Sequence, residues 1–296
     1  MGFISVKEAS SKWKITERVV RQYCADGRVP GAFMTGKTWN IPDQAEKPER
    51  KPRQRIVPDD LPGRLVYEKE HGISGGIYHK IQIEFTYNSN HMEGSRLSHE
   101  QTRYIFETNT INAPDGSVNI DDIMETANHF RCIDLIIDQA KRQITETLIK
   151  QLHVLLKTGT ADSRKSWFAV GDYKKLANEV GGRETAAPED VPEKMKELIS
   201  DYKKREIVTF DDLLDFHYRF ELIHPFQDGN GRVGRLLLFK ECLRNGIVPF
   251  IIEDDMKLYY YRGLREWKTV PGYLRDTCLS AQDRFKNYLD YFGIQY

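Results

Sequence analysis

The stretch that decides how this chain is read is His224-Pro225-Phe226-Gln227-Asp228-Gly229-Asn230-Gly231-Arg232-Val233-Gly234-Arg235. Proline has no N–H and disfavours helical geometry in the residue before it, so a helix arriving from Thr209 must end near Ile223 and leave His224 at a helix-to-loop corner. An imidazole there, with an ordinary pKa of about 6.5, can accept a proton at neutral pH. Phe226 reads as a core anchor for the loop. Asp228 offers a hard oxygen ligand of the kind that holds Mg²⁺ together with phosphates. Gly229-Asn230-Gly231 can turn successive N–H groups onto an anion and leads straight into a helix N-terminus, which favours phosphate. Arg232 and Arg235 are three apart, share a helical face and can fork onto phosphate oxygens. Taken singly, a His before Pro, a Gly-Asn-Gly turn and two arginines at this spacing are ordinary structural features. Together and in this order they suit a nucleoside triphosphate with its metal beside an acceptor hydroxyl.

Helical periodicity dominates on both sides of this stretch. Apolar spacing predicts helices over 77–88, 123–137, 144–156, 191–202, 258–267 and 273–292, a Thr209-capped helix ending at Ile223, and one from near Gly231 to Asn245-Gly246. Residues 169–183 break the pattern and read as a small hairpin. Between Glu46 and Pro62 prolines recur and apolar residues are scarce, which predicts a stiff linker over 46–62. Before it, Ser5 and Thr16 are positioned to cap two short helices joined by a tight turn, and Arg28 to Pro42 reads as a hairpin with Gly36 in the turn.

The chain has 296 residues, enough for two domains. Its net charge is zero, which argues against a nucleic-acid-binding surface over the whole molecule, but residues 1–55 hold twelve Lys and Arg against six Asp and Glu. No apolar run approaches the roughly 20 residues of a membrane span. The first residues lack the apolar core of a signal peptide, and the four cysteines, Cys24, Cys132, Cys242 and Cys278, are far apart. A cytoplasmic protein without disulfides or a zinc site is therefore expected.

The central stretch resembles the Fic family signature, His-x-Phe-x-Asp/Glu-Gly-Asn-Gly-Arg-x-x-Arg, at every position, and the similarity runs from about Leu61 to Tyr291. The resemblance implies a mainly α fold: a Fic-type helical core over 63–296 with a small β-hairpin flap. It also implies protein adenylyltransfer, in which His224 takes a proton from a Ser, Thr or Tyr hydroxyl of a target protein, or of the chain itself, as that oxygen attacks the α-phosphate of ATP. Asp228 would hold Mg²⁺. Gly229, Asn230, Gly231 and Arg232 would form the anion hole, continuing through Val233 and Gly234, and Arg235 would grip the outer phosphate. Tyr260 and Tyr261 match nucleoside-wall positions, with plain core packing the alternative for either. Val180, Gly181, Gly182 and Arg183 match the flap that holds the target by strand addition. Where some members place an Asn against the adenosine this chain has Lys268, so UTP, GTP or CDP-choline remain alternative donors.

Ser89-Asn90-His91-Met92-Glu93-Gly94 is similar to the family's inhibitory motif. Its logic is that Glu93 occupies the guanidinium of Arg235 that would otherwise hold the γ-phosphate. In related proteins the same Glu assists AMP removal, so reverse activity is a further alternative. Residues 1–45 resemble excisionase-like and MerR-like winged helix-turn-helix DNA-binding domains, with Arg18, Arg21 and Gln22 facing a groove and Lys37 at the hairpin tip meeting phosphate. A protein-docking or homodimerising module is the alternative there, and a DNA-binding regulator with a nucleotide-sensing second half is the alternative for the whole chain.

Overall fold

The computed structural model describes residues 2–49, 57–112 and 116–296. Contacts divide the chain into two units, Met1–Ile56 and Val57–Tyr296. The division falls within the stretch expected as a linker, of which residues 50–56 lie outside the described residues; Leu61 and Pro62, at its end, are already helical.

In the first unit, strand β1 (Phe3–Ile4) precedes helices α1 (Val6–Trp13) and α2 (Glu17–Ala25), followed by β2 (Phe33–Thr35) and β3 (Thr38–Pro42). Ser5 and Glu8 form a reciprocal capping box on α1, and Lys14 turns the chain with a left-handed φ of 52°. The hairpin pairs Thr35 with Thr38 across the turn. Sequence reading misses β1, which adds to β3 through Phe3↔Pro42 and Ile4↔Ile41 and makes a three-stranded antiparallel sheet ordered β1-β3-β2. Two residues are too few for any period to register. Val6, Ala9, Trp13, Val20, Tyr23, Cys24, Val29 and Ile41 form a separate core.

The second unit is helical: α3 (Leu61–His71), α4 (Ile77–Met92), α5 (His99–Thr108), α6 (Ile120–Asp138), α7 (Glu146–Lys157), α8 (Val191–Lys203), α9 (Phe210–Ile223), α10 (Asn230–Arg244), α11 (Lys257–Glu266) and α12 (Gly272–Phe292), with a two-stranded hairpin of β4 (Glu179–Val180) and β5 (Arg183–Glu184) between α7 and α8. The hairpin is shorter than the expected 169–183 and lies at its C-terminal end. Helices α3 and α5 are absent from the sequence reading. Each buries little, Leu61, Leu65 and Glu68 on α3 and Thr102 and Ile105 on α5, and each is set by its cap: Asp60 accepting from the Gly63 N–H, and a Ser98–Gln101 capping box.

Helix α10 is the axis of this unit. Almost every side chain on it is buried, among them Val233, Leu236, Leu237, Leu238, Phe239 and Cys242. A helix buried on nearly every side must be surrounded by others, and α10 packs on α9, α6, α4 and α7. Each such Leu or Phe contributes roughly 1.5–3 kcal/mol by burial. The N-terminus of this deeply buried helix is thus the end that receives the glycine turn and the His224 loop. Among the described residues, no helix is long and apolar enough to cross a membrane.

Candidate active site

Helix α9 starts on a Thr209–Asp212 capping box and stops at His224, whose left-handed φ of 51° and ψ of 63° turn the chain into Pro225 while its N–H still donates to Phe220 O at 2.9 Å. The loop beyond is fastened by side chains. Asn230 accepts from the Phe226 N–H through Oδ1 and donates to the Phe226 carbonyl through Nδ2, both at 2.8 Å. Phe226 is fully buried and stacks on the His153 ring, 4.0 Å between centroids and 5° between planes. His153 Nδ1 receives the Gly171 N–H at 2.9 Å, which leaves Nε2–H to donate to Asp228 O at 3.2 Å. Gly229, the N-cap of α10, holds a φ of 82° that only glycine adopts without strain.

His224, Gly231 and Arg235 line a cavity of about 480 Å³ together with Glu93, Glu221, Tyr260 and Tyr261, and with Val180, Gly181 and Arg183 of the hairpin. Burial is the main cause that pushes the His224 imidazole down to about 4, with the nearby Lys174 ammonium adding to it, so the ring is neutral at neutral pH. Arg235, only 5% exposed, donates from Nε to Ser89 Oγ at 3.0 Å and from one terminal nitrogen to Ser89 O at 2.9 Å and Glu93 Oε1 at 2.7 Å. Burial would raise the Glu93 carboxyl, but Arg235 and then Arg232 outweigh it and hold it below its ordinary value. A Cβ on residue 231 would collide with Glu93 Oε1 and Arg235, so glycine is what lets the ion pair lie over the start of α10. Gly94 follows α4 as a turn and stays outside the cavity.

Other expected residues are placed differently. Arg232 is 3% exposed and turned away from the cavity: it pairs with Glu125 and reaches Asp228 Oδ2 at 3.4 Å. Asp228 also takes the Lys157 ammonium at 2.7 Å, and Lys157 in turn binds Glu125 and Asp162. Burial opposes ionisation of Asp228, but Arg232 and Lys157 keep its carboxyl well below the carboxylate range, and with 46% of its side chain exposed it remains open to a ligand. Val233 is a core residue, and Gly234 packs against His217 and Glu221. Tyr260 is buried, its hydroxyl on His217 Nε2 at 2.5 Å, whereas Tyr261 is partly exposed and donates to Met92 O at 3.3 Å, at the end of α4. Lys268 Nζ binds Asp215 at 3.1 Å and does not line the cavity. In the first unit Arg18, Arg21, Gln22 and Lys37 are exposed, with Arg21 on Glu17 at 2.6 Å and Gln22 on Asp26 at 2.7 Å.

Sequence reading also overlooks several members of the site. Glu221 lines the cavity one helical turn before His224; burial, reinforced by Glu93, pushes its carboxyl up to about 8, and its Oε1 is unpartnered. Its spacing of three from His224 was the available signal. Lys157, Glu125, His153 and Lys174 had none, because the fold, and no local spacing, brings them to Asp228, Arg232 and the carbonyl of Ile223.

Residues 143–241 match the model of the Fic/DOC family. Protein adenylyltransferase fic-1 of Caenorhabditis elegans is 30% identical over 187 residues, 61% of this chain and 35% of that protein. Protein adenylyltransferase Fic of Aedes aegypti is 31% identical over 188 residues, 60% of this chain and 36% of that one. The chain thus spans about a third of the length of the curated relatives it matches. Among solved structures, a Fic domain containing signaling protein from Bacteroides thetaiotaomicron aligns over 78% of this chain and 91% of its own, at 26% identity and a TM-score of 0.57. C. elegans Fic-1 aligns over 75% and 65%, at 23% identity and a TM-score of 0.61, a likeness of fold.

Proposed function

Because residues 143–241 match the Fic/DOC family, we propose that the chain is a self-inhibited protein adenylyltransferase. The observation that carries this reading is that one cavity holds the neutral His224, the start of α10 and Arg235, with Arg235 engaged by Ser89 and Glu93.

In this reading the imidazole of His224 takes the proton of a Ser, Thr or Tyr hydroxyl on a target protein or on the chain itself. The hydroxyl oxygen bonds to the α-phosphorus of ATP, the bond from that phosphorus to its bridging oxygen breaks, and pyrophosphate leaves with the electron pair. The free N–H groups at the start of α10 receive phosphate, and Arg235, once released by Glu93, holds the outer one. Catalysis is then mostly positioning and electrostatic stabilisation. Asp228 fits Mg²⁺ as a single ionised, accessible carboxylate, and no group of three His, Cys, Asp or Glu among the described residues would hold a metal without the phosphates. Bound there, the ion would neutralise phosphate charge.

The test is intact-mass measurement of wild type and Glu93→Gly after incubation with each NTP or CDP-choline and Mg²⁺. A gain of one AMP, larger in the variant, supports the reading; no gain in either form from any donor removes it. Because Lys268 faces Asp215 and not the cavity, a donor other than ATP is the second reading, and the added mass identifies it. For the first unit we propose DNA binding through Arg18, Arg21, Gln22 and Lys37. A gel shift that weakens with salt supports this, and its absence favours a protein-docking role.

A further inference from the structure

Lys174 ties the hairpin to the loop that carries His224, and we propose that it is a positioning residue that keeps the flap, and with it the acceptor hydroxyl, in register with the imidazole. This rests on the transferase reading given above. Lys174 is 3% exposed. Its Nζ donates to Asn178 Oδ1 at 2.7 Å, Thr185 Oγ1 at 2.5 Å and Ile223 O at 3.4 Å. An ammonium has three N–H groups, so all three are used. Asn178 and Thr185 flank β4 and β5, and Ile223 is the residue before His224. The rest of the segment follows the same path: Lys174 N donates to Pro225 O at 2.9 Å, Asn178 Nδ2 to Phe226 O at 3.1 Å, and Leu176 N to Gln227 Oε1 at 3.2 Å. Each residue from Ile223 to Gln227 except His224 itself is therefore held from the flap side.

A role in stability alone explains this lysine poorly. Its three acceptors are neutral oxygens, and among the described residues no carboxylate pairs with it. A buried cation without a counter-ion is costly, and an apolar side chain of similar length would fill the space at less cost. What an apolar side chain cannot supply is three donors that bridge two flap residues and the carbonyl beside His224. Burial, with Lys194 adding to it, moves the Lys174 ammonium down to about 8, so it is still mostly charged at neutral pH. Of the side-chain charges with the largest effect on His224, Lys174 depresses its basicity, whereas Glu93 and Asp228 raise it.

The test uses the full chain carrying Glu93→Gly and compares the parent with Lys174→Met, Lys174→Arg and Thr185→Val. It measures the rate of self-labelling from ATP, the KM for ATP, amide exchange over residues 176–185 and the His224 ring pKa by NMR. In Lys174→Met the rate is expected to fall about 10–100-fold, the range of an ångström-scale misplacement, with the KM for ATP within about twofold of the parent. Flap amides should exchange faster and the ring pKa should rise. Arginine keeps the charge and several donors, and should restore the ring pKa and much of the rate. If the methionine variant does not fold, Thr185→Val, which removes one Lys174 acceptor together with the Thr185 Oγ1 bonds to Asn178, should shift rate and exchange the same way by less. Parental rate and flap exchange in the methionine variant overturn the proposal, as does a rate loss matched by an equal rise in the KM for ATP. If the Glu93→Gly parent does not label, the transferase reading fails, while exchange and ring pKa still decide whether Lys174 holds flap and histidine together.

Discussion

Asn230→Ala should be among the most damaging single changes that leave every proposed proton-transfer and phosphate-binding side chain in place. Asn230 satisfies both backbone groups of Phe226 at 2.8 Å, and both residues are buried. The two groups are not equally exposed to its loss. Phe226 O also accepts from Asn178 Nδ2 at 3.1 Å and keeps that partner, whereas the N–H loses the side-chain oxygen that covers it. An unsatisfied buried N–H costs about 1–3 kcal/mol, and a lost hydrogen bond about 0.5–1.5 kcal/mol, so the total is about 1.5–4.5 kcal/mol. For a unit of this size each kcal/mol lowers Tm by roughly 2–4 °C, giving a fall of about 3–18 °C. Self-labelling in a Glu93→Gly background should fall as well, because His224 is two residues from Phe226. Asn230→Asp makes the argument specific. It keeps an acceptor for the N–H and puts its charge at the N-terminus of α10, where negative charge is favoured, but it buries a carboxylate oxygen against the Phe226 carbonyl where Asn230 Nδ2 donates. Scanning calorimetry at pH 7 should therefore place Asn230→Asp between Asn230→Ala and wild type. Equal melting of the alanine variant and wild type, or equal loss in both variants, would refute the reasoning.

Three further outcomes are expected. Glu93→Gln removes a charge-assisted bond worth about 1.5–3 kcal/mol, which corresponds to a rise in AMP transfer of about 10–100-fold accompanied by a lower Tm; transfer and melting both unchanged would contradict the inhibitory contact. His224→Ala should abolish transfer in the Glu93→Gly background while leaving Tm within a few degrees, read by intact mass and calorimetry, and persisting transfer would require another base. Below a pH of about 6.5 the unfolded chain protonates His153, His217 and His224, while the folded chain holds them neutral down to about 4, 3 and 4 because of burial. The unfolded state then binds more protons, so this contribution to stability is complete above a pH of about 6.5 and is lost as pH falls towards about 4. A melting series from pH 7.5 to 5 should decline, less steeply in His224→Asn, and a flat series would contradict it.

How much of this was legible in the sequence depended on how local the determinants are. Pro225 ends α9 at Ile223 and Asn245-Gly246 lies at the end of α10 because those rules act within a few residues. The long amphipathic helices announced themselves by period, whereas α3 and α5 bury two or three side chains each and were set by caps. The proximity of Ser89 and Glu93 to Arg235, across more than 140 residues, was reachable only through a family resemblance. Arg232 shows what spacing leaves out: sharing a helical face with Arg235 did not reveal that Glu125 of α6 draws its guanidinium away from the cavity. Tyr260 and Tyr261 are adjacent in sequence, yet one is buried on His217 and the other reaches the end of α4. Lys174 was silent because its partners are carbonyl and side-chain oxygens supplied by the fold.

The most direct measurement is a crystal structure of Glu93→Gly with ATP and Mg²⁺. The triphosphate should lie at the start of α10, with its outer phosphate on Arg235 and its α-phosphate facing the His224 ring. A triphosphate bound elsewhere, or a His224 ring turned away from the α-phosphate and closed to the cavity, would contradict it.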